Sequence, residues 1–520
     1  VYKSCRCPKS HQRVHIRSFM CQALESTDKE FLIDDHNRNR KQHLYQPHGY
    51  MIILKDCRQW PSPNNMTNRK NITKNFFWRF AERCGAQGIA FVVSIVLARL
   101  LAPEAYGIIA LVTVFTNILN VFVDSGMGNA LIQRKNADDT DFSTVFFFNM
   151  LLCTVLYMGM FVAAPWIAAF YKDPELTGVI RVLSLTLIIS GVKNVQQAYV
   201  SRTMQFKKFF FSTLGGTIGS AVIGIAMAYA GFGVWALVAQ QIFNQAVDTI
   251  ILWITVKWRP KLKFSFKRLK KLFAYGWKLL VSSLLDTVYN NIRQVIIGKV
   301  YSSADLAYYN KGKHLPYLVI TNVNVAIDSV LFPAISSKQD EIDRVKAMTR
   351  RAIKTSSFII WPIVLGLGAC AEPVVRILLT EKWMKCVPFL KIFCFTYGFW
   401  PIHTANLNAI KAVGRSDIFL KLEIIKKTIG IISILISMPF GVLAMAMAYL
   451  VTSPLSAIVN ATPNRKLLGY KYREQLADML PSMLLGTFMA LVVYAMGKTN
   501  LNDFVLLPIQ IVVGALVYIA

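Results

Sequence analysis

The sequence predicts an all-α polytopic membrane protein with about fourteen transmembrane helices, arranged as two six-helix lobes plus two C-terminal helices. Three observations predict it. Of 520 residues, 54% are hydrophobic and only 17% are charged. The apolar residues gather into runs of about 17 to 28, the length a helix needs to cross about 30 Å of hydrocarbon. Lysine and arginine collect in alternate short connections, the pattern of positive-inside topology.

The apolar runs lie near 76–101, 106–132, 142–164, 178–201, 209–230 and 233–256, then 271–299, 306–335, 355–379, 387–411, 419–438 and 441–462, with a last pair at 476–497 and 503–520. They divide the chain into an N-terminal lobe (66–256), a basic cytoplasmic linker (257–270), a C-terminal lobe (271–462) and two further helices (463–520). The basic connections include Arg134 and Lys135, then Arg202, Lys207 and Lys208, the dense run Lys257 to Lys271, and Lys338 to Lys354. Between them lie short, nearly charge-balanced connections such as 171–175, which puts both termini on the cytoplasmic side. Trp258 to Phe273 alternates basic residues with Leu262, Phe264, Phe266, Leu269 and Leu272, the character of a segment lying at a membrane interface.

Residues 1–65 have another character, with five of the seven histidines, four of the nine cysteines and no periodic apolar pattern. They read as a disordered leader or as an upstream extension of the reading frame with Met66 as initiator.

The formal charge of +30 would suggest nucleic acid in a soluble chain, but here it sits in membrane-flanking connections and points to anionic lipid. The cysteines form no CxxC pair, so no zinc site or disulfide framework is indicated. No GxxxxGK[ST] loop, Ser-His-Asp set or paired carboxylates appear, so the reading includes no enzyme chemistry, metal or cofactor.

A polar stripe recurs. Thr113, Asn117, Asn120 and Asp124 are spaced 4, 3 and 4, and Tyr317, Thr321, Asn324 and Asp328 repeat that spacing 204 residues later. Two matching stripes in two halves predict a water-accessible cleft between parallel repeats. The seventh run adds Ser283, Asp286, Asn290 and Arg293, and the first adds Arg79, Glu82, Arg83 and Gln87. Ionisable groups at membrane depth face a cavity or each other because insertion costs roughly 2 to 3 kcal/mol each. Arg79, Arg83, Arg293, Asn290, Asn117, Asn120, Thr321 and Asn324 are therefore cavity candidates, and Asp286, Asp124 and Asp328 are candidates for binding a coupling H+ or Na+. Lys193, Lys391, His403, Lys426 and Lys427 come second.

The stretches IGKVYSSADLAYYNKG (297–312), AEPVVRILLTEKW (371–383), CVPFLKIFC (386–394), WPIHTANLNAIKAVGRSDIFLKLEIIKK (400–427) and ARLLAPEAYGIIALVTVF (98–115) resemble the polysaccharide transporter family, with Wzx-type flippases and lipopolysaccharide or teichuronic acid biosynthesis proteins among its members. The resemblance implies the multidrug/oligosaccharidyl-lipid/polysaccharide superfamily fold. It also implies a flippase of undecaprenyl-diphosphate-linked oligosaccharide in the cytoplasmic membrane, partnered by membrane lipids and polysaccharide-assembly enzymes. Two alternatives stand beside it: an ion-coupled drug or metabolite antiporter of the same superfamily, and a membrane enzyme of polysaccharide assembly.

Overall fold

The first helix, α1 (Arg69–Leu100), is followed without a long connection by α2 (Pro103–Asp124), whose first position is a proline, where the missing N–H costs nothing. In this computed structural model, residues 69–124, 127–134, 137–499 and 501–520 are described. The leader, residues 1–65, and the side chains of Arg79 and Arg83 lie outside the described residues.

The first half continues with α3 (Met127–Gln133), α4 (Asp139–Tyr171), α5 (Glu175–Leu183), α6 (Leu185–Arg202), α7 (Lys207–Tyr229) and α8 (Val234–Thr255). The second half contains α9 (Phe266–Val300), α10 (Ser303–Ser336), α11 (Ile342–Ala369), α12 (Ala371–Leu379), α13 (Val387–Tyr397), α14 (Trp400–Ala412), α15 (Ser416–Ser437) and α16 (Val442–Leu467). Two last helices follow, α17 (Tyr472–Met496) and α18 (Asp503–Ile519). No strand occurs among the described residues. Each apolar run read from the sequence falls on one of these helices or on a broken pair, so the chain is a polytopic all-α membrane protein.

Among the described residues, seven segments are each apolar and long enough to span a bilayer by themselves. α9, α10 and α15 are not among them, since polar and charged residues interrupt their apolar faces. Such helices belong beside other protein or a polar cavity. The span 387–412 is broken at Gly398, where a Cβ would stand 2.4 Å from the Trp361 ring, and Pro401 restarts the helix as α14. This break puts Trp400 halfway along the span.

Two basic stretches are held by specific contacts. Residues 342–354 form the first part of α11, and their cations meet carboxylates of α17. Lys346 pairs with Glu474 at 3.0 Å, and Arg350 and Lys354 reach the buried Asp478 at 2.6 and 3.2 Å. The stretch before α9 is strapped to the first half by backbone donors. Lys261 N donates to Ser143 Oγ at 3.0 Å, and Ser265 N donates to Thr144 Oγ1 at 3.1 Å. Leu262, Phe264 and Phe266 stay exposed beside it, as an interfacial apolar edge would.

The two halves meet mainly through α2 against α9 and α10. Gly107 and Gly298 allow the approach, since a Cβ on Gly107 would come within 1.9 Å of Ser303 O and one on Gly298 within 2.1 Å of Leu111 Cδ2.

Candidate functional site

A polar cavity of about 420 Å3 lies among α9, α13, α14, α15 and α16. Its chemistry is set by which charges cancel. Lys426 pairs with Glu423 on its own helix at 2.6 Å, and Lys427 of α15 pairs with Asp286 of α9. Among the described residues, Arg293 has no such partner. It is 5% exposed, donates from Nη1 to the Met445 carbonyl at 2.8 Å and lies over the Tyr449 ring at 3.9 Å, while its buried Nε has no acceptor. A guanidinium without a carboxylate in this setting is costly, and the aromatic face and carbonyl offset only part of that cost. The cavity is thus polar and net cationic.

One wall is aromatic. Tyr397 and Trp400, three residues apart across the Gly398 break, stack with centroids 5.2 Å apart at 30°, and Tyr317 of α10 adds a third ring 5.8 Å from Trp400. The lining also includes His403, whose Nδ1 is 2.9 Å from the Asn460 amide nitrogen, and Thr452, Ser453 and Ser456 along α16. Asn460 Oδ1 is buried without a partner.

The sequence-derived candidates divide accordingly. Arg293 and Asn290 line this cavity, and Asp286 sits at its edge through Lys427. On α10, Asn324 Oδ1 accepts from Thr404 at 2.6 Å and Asp328 accepts from Asn408 at 2.6 Å, so these two face α14 of their own half. Thr321 Oγ1 is buried without a partner. On α2, Asp124 accepts from Asn194 of α6 at 2.9 Å, Asn120 is half-buried and Asn117 is exposed. Of the secondary candidates, Lys193 pairs with Asp248 at 3.1 Å and Lys391 with Glu372 at 2.7 Å. Sequence reasoning missed Tyr397, Trp400 and Tyr449. Two rings three residues apart on a helix look like core, and only the glycine and proline between and after them hint at a bend that opens one side.

At the end of the bundle where α1 gives way to α2, the halves exchange helix caps. Lys382 donates to the carbonyls of Arg99 and Leu101 at 2.6 and 2.9 Å, and Trp383 Nε1 donates to the Ala98 carbonyl at 2.8 Å. In return, Arg99 donates to the carbonyls of Ile377 and Leu378 at the end of α12. Helix ends leave such carbonyls free, and cations are favourable there. Lys311 of α10 adds a bond to Ser94 Oγ at 3.0 Å, with its ammonium over Tyr106 at 4.3 Å.

A helical bundle with a repeated stripe, a charged interior cavity and capped contacts between halves defines the class, a multi-pass membrane protein of transporter fold. Residues 96–388, more than half of the chain, match the family described as "Polysaccharide biosynthesis protein", and the chain belongs to that family. It is similar to the succinoglycan biosynthesis transport protein ExoT of Rhizobium meliloti (strain 1021), at 25% identity over 81% of this chain and 84% of that one. It is also similar to the lipopolysaccharide biosynthesis protein WzxC of Escherichia coli (strain K12), at 24% identity over 79% and 84%. Among solved structures, the lipid II flippase MurJ in an inward closed conformation superposes with a TM-score of 0.69 at 17% identity, covering 85% of this chain and 97% of that one. An inward-facing multidrug resistance MATE family transporter of the MOP superfamily gives 0.59 at 17% identity, over 74% and 94%. These two likenesses show the fold.

Proposed function

We propose that this protein flips an undecaprenyl-diphosphate-linked oligosaccharide across the cytoplasmic membrane by alternating access, with its head group passing through the cavity beside Arg293. The observation that carries the reading is the buried guanidinium without a carboxylate. A site built this way recruits an electron-rich, polar ligand and rejects a cationic drug, which would meet an unpaired positive charge. The polyprenyl chain stays in lipid while the head group crosses.

Positive-inside topology makes the end bearing Lys257 to Lys271 cytoplasmic, and both termini with it. In this reading the capped contacts of Arg99, Lys382 and Trp383 close the outer end. Asp286, Asp124 and Asp328 are the carboxylates proposed to take a coupling H+ or Na+, Asp286 by exchanging its Lys427 partner. Polysaccharide-assembly enzymes supply and consume the glycolipid.

The test is flipping in proteoliposomes of a fluorescent undecaprenyl-diphosphate oligosaccharide, run against a cationic dye. Glycolipid movement by the wild type that falls in Arg293→Ala is expected. Dye transport without glycolipid movement would replace the flippase with an antiporter.

A further inference from the structure

We infer that the cavity is a subsite for a sugar ring of the glycan, packed against Trp400 and Tyr397, and that it holds this ring and not the lipid diphosphate while the lipid rests in one leaflet. The inference rests on the flippase reading and specifies which part of its substrate this cavity holds.

Depth is the first argument. Trp400 lies 13 residues from the start of α13 and 12 from the end of α14, which puts it roughly 20 Å from either end of the span. A polyprenyl diphosphate held by its chain in one leaflet keeps its phosphates at the interface, roughly 15 Å from the bilayer centre. What reaches Trp400 from there is the glycan. Because the site is central, the same rings stay within reach of the glycan from either leaflet.

Chemistry is the second. Tyr397 and Trp400 line the cavity as an aromatic wall, and such a wall suits the C–H groups of a pyranose, while the hydroxyls of such a ring need donors and acceptors around its rim. The cavity offers both kinds: donors at Arg293 and the serines and threonine of α16, and a buried acceptor without a partner at Asn460 Oδ1. A diphosphate would be expected to find several uncancelled cations converging on it. Here Lys426 and Lys427 are held by Glu423 and Asp286, which leaves Arg293 as the cation among the described lining residues without a carboxylate.

The experiment compares two probes in proteoliposomes: an undecaprenyl-diphosphate-linked pentasaccharide, and undecaprenyl diphosphate bearing no sugar, whose binding is read by competition with a radiolabelled copy. Trp400→Ala is expected to slow pentasaccharide movement at least tenfold and weaken its binding, Trp400→Phe to retain most of both, and the bare diphosphate to bind all three proteins equally. Equal weakening of the bare diphosphate by Trp400→Ala, or unchanged pentasaccharide movement, overturns the sugar subsite while leaving the flippase intact. Failure of the wild type to move or bind either lipid overturns the flippase reading itself. Trp400→Phe and a melting curve for Trp400→Ala separate loss of the ring from loss of the fold.

Discussion

The Asp328 carboxylate accepts a hydrogen bond from the Asn408 amide at 2.6 Å, and in the first half Asp124 accepts the same bond from Asn194 at 2.9 Å. The two aspartates end the repeated polar stripes, and each asparagine comes from the fourth span of its own half. The repeat therefore extends past the stripe to what the stripe touches, tying the second and fourth spans of each half together. A hydrogen bond to a charged acceptor that is partly open to solvent stabilises by about 1 kcal/mol. A double-mutant cycle of Asp328→Asn with Asn408→Ala, read by thermal melting in detergent, is expected to return a coupling of about that size, and a coupling near zero would leave the pair as a bystander.

Arg293 should trade stability against activity. Replacing a buried, unpaired cation by an apolar residue of similar length removes a desolvation cost, although it also loses the bond to Met445 and the contact with Tyr449. Arg293→Met is therefore expected to melt at the same temperature as the wild type or higher, while glycolipid movement falls tenfold or more. Arg293→Lys should rescue poorly, because an ammonium lacks the planar fork. A variant destabilised by several degrees with normal transport would assign Arg293 to structure instead.

Much of the architecture was legible because bilayer thickness leaves a length signature and loop charge leaves a sign. The stripe ending in Asp328 was legible for the same reason, since a spacing of 4, 3 and 4 reports one face of a helix. Its partner was not, because periodicity shows that a face exists and nothing about the helix packed on it. Trp400 and Tyr397 were hidden by ambiguity: aromatic rings at helical spacing fill cores far more often than they line cavities. The contacts of Arg99, Lys382 and Trp383 left no trace at all, because their acceptors are backbone carbonyls, which every residue carries.

The strap before α9 has a pH limit. Arg268 reaches Asp138 at 2.5 Å and the buried Asp141 at 3.3 Å, and Lys261 reaches Asp139 at 2.7 Å. Partial burial pushes the Asp138 carboxyl up, but the Arg268 guanidinium and backbone N–H donors outweigh it and hold the group below its ordinary value. A depressed carboxylate contributes stability above its unfolded value, and that stability is lost as pH falls through the depressed one. Trypsin protection of the 257–271 segment is therefore expected to be constant from pH 8 to 5 and to fail only below about pH 4, near the unperturbed carboxylate value. Asp138→Asn should show weaker protection throughout. Release of the segment between pH 5 and 7 would contradict this account, since the Asp138 carboxyl, held below its ordinary value, does not titrate there.

The exchange of helix caps between the halves makes a directional prediction about conformation. Arg99 and Lys382 each satisfy carbonyls at the end of a helix in the other half, so separating the halves leaves both helix ends uncapped until water replaces the donors. Exposed donors of this kind contribute modestly, and losing about 1.4 kcal/mol from the closed state shifts a two-state ratio about tenfold. Arg99→Ala combined with Lys382→Ala is thus expected to raise the labelling rate of a cysteine at Ser94, a residue held against Lys311 in the closed form, by roughly that factor when a membrane-impermeant maleimide is added from outside. Gly107→Val should act in the same direction and more strongly, because its side chain would overlap the Ser303 backbone, which cannot move as a flexible side chain does. Labelling that stays flat in both variants would mean that neither the exchanged caps nor the close approach at Gly107 holds the outer end shut.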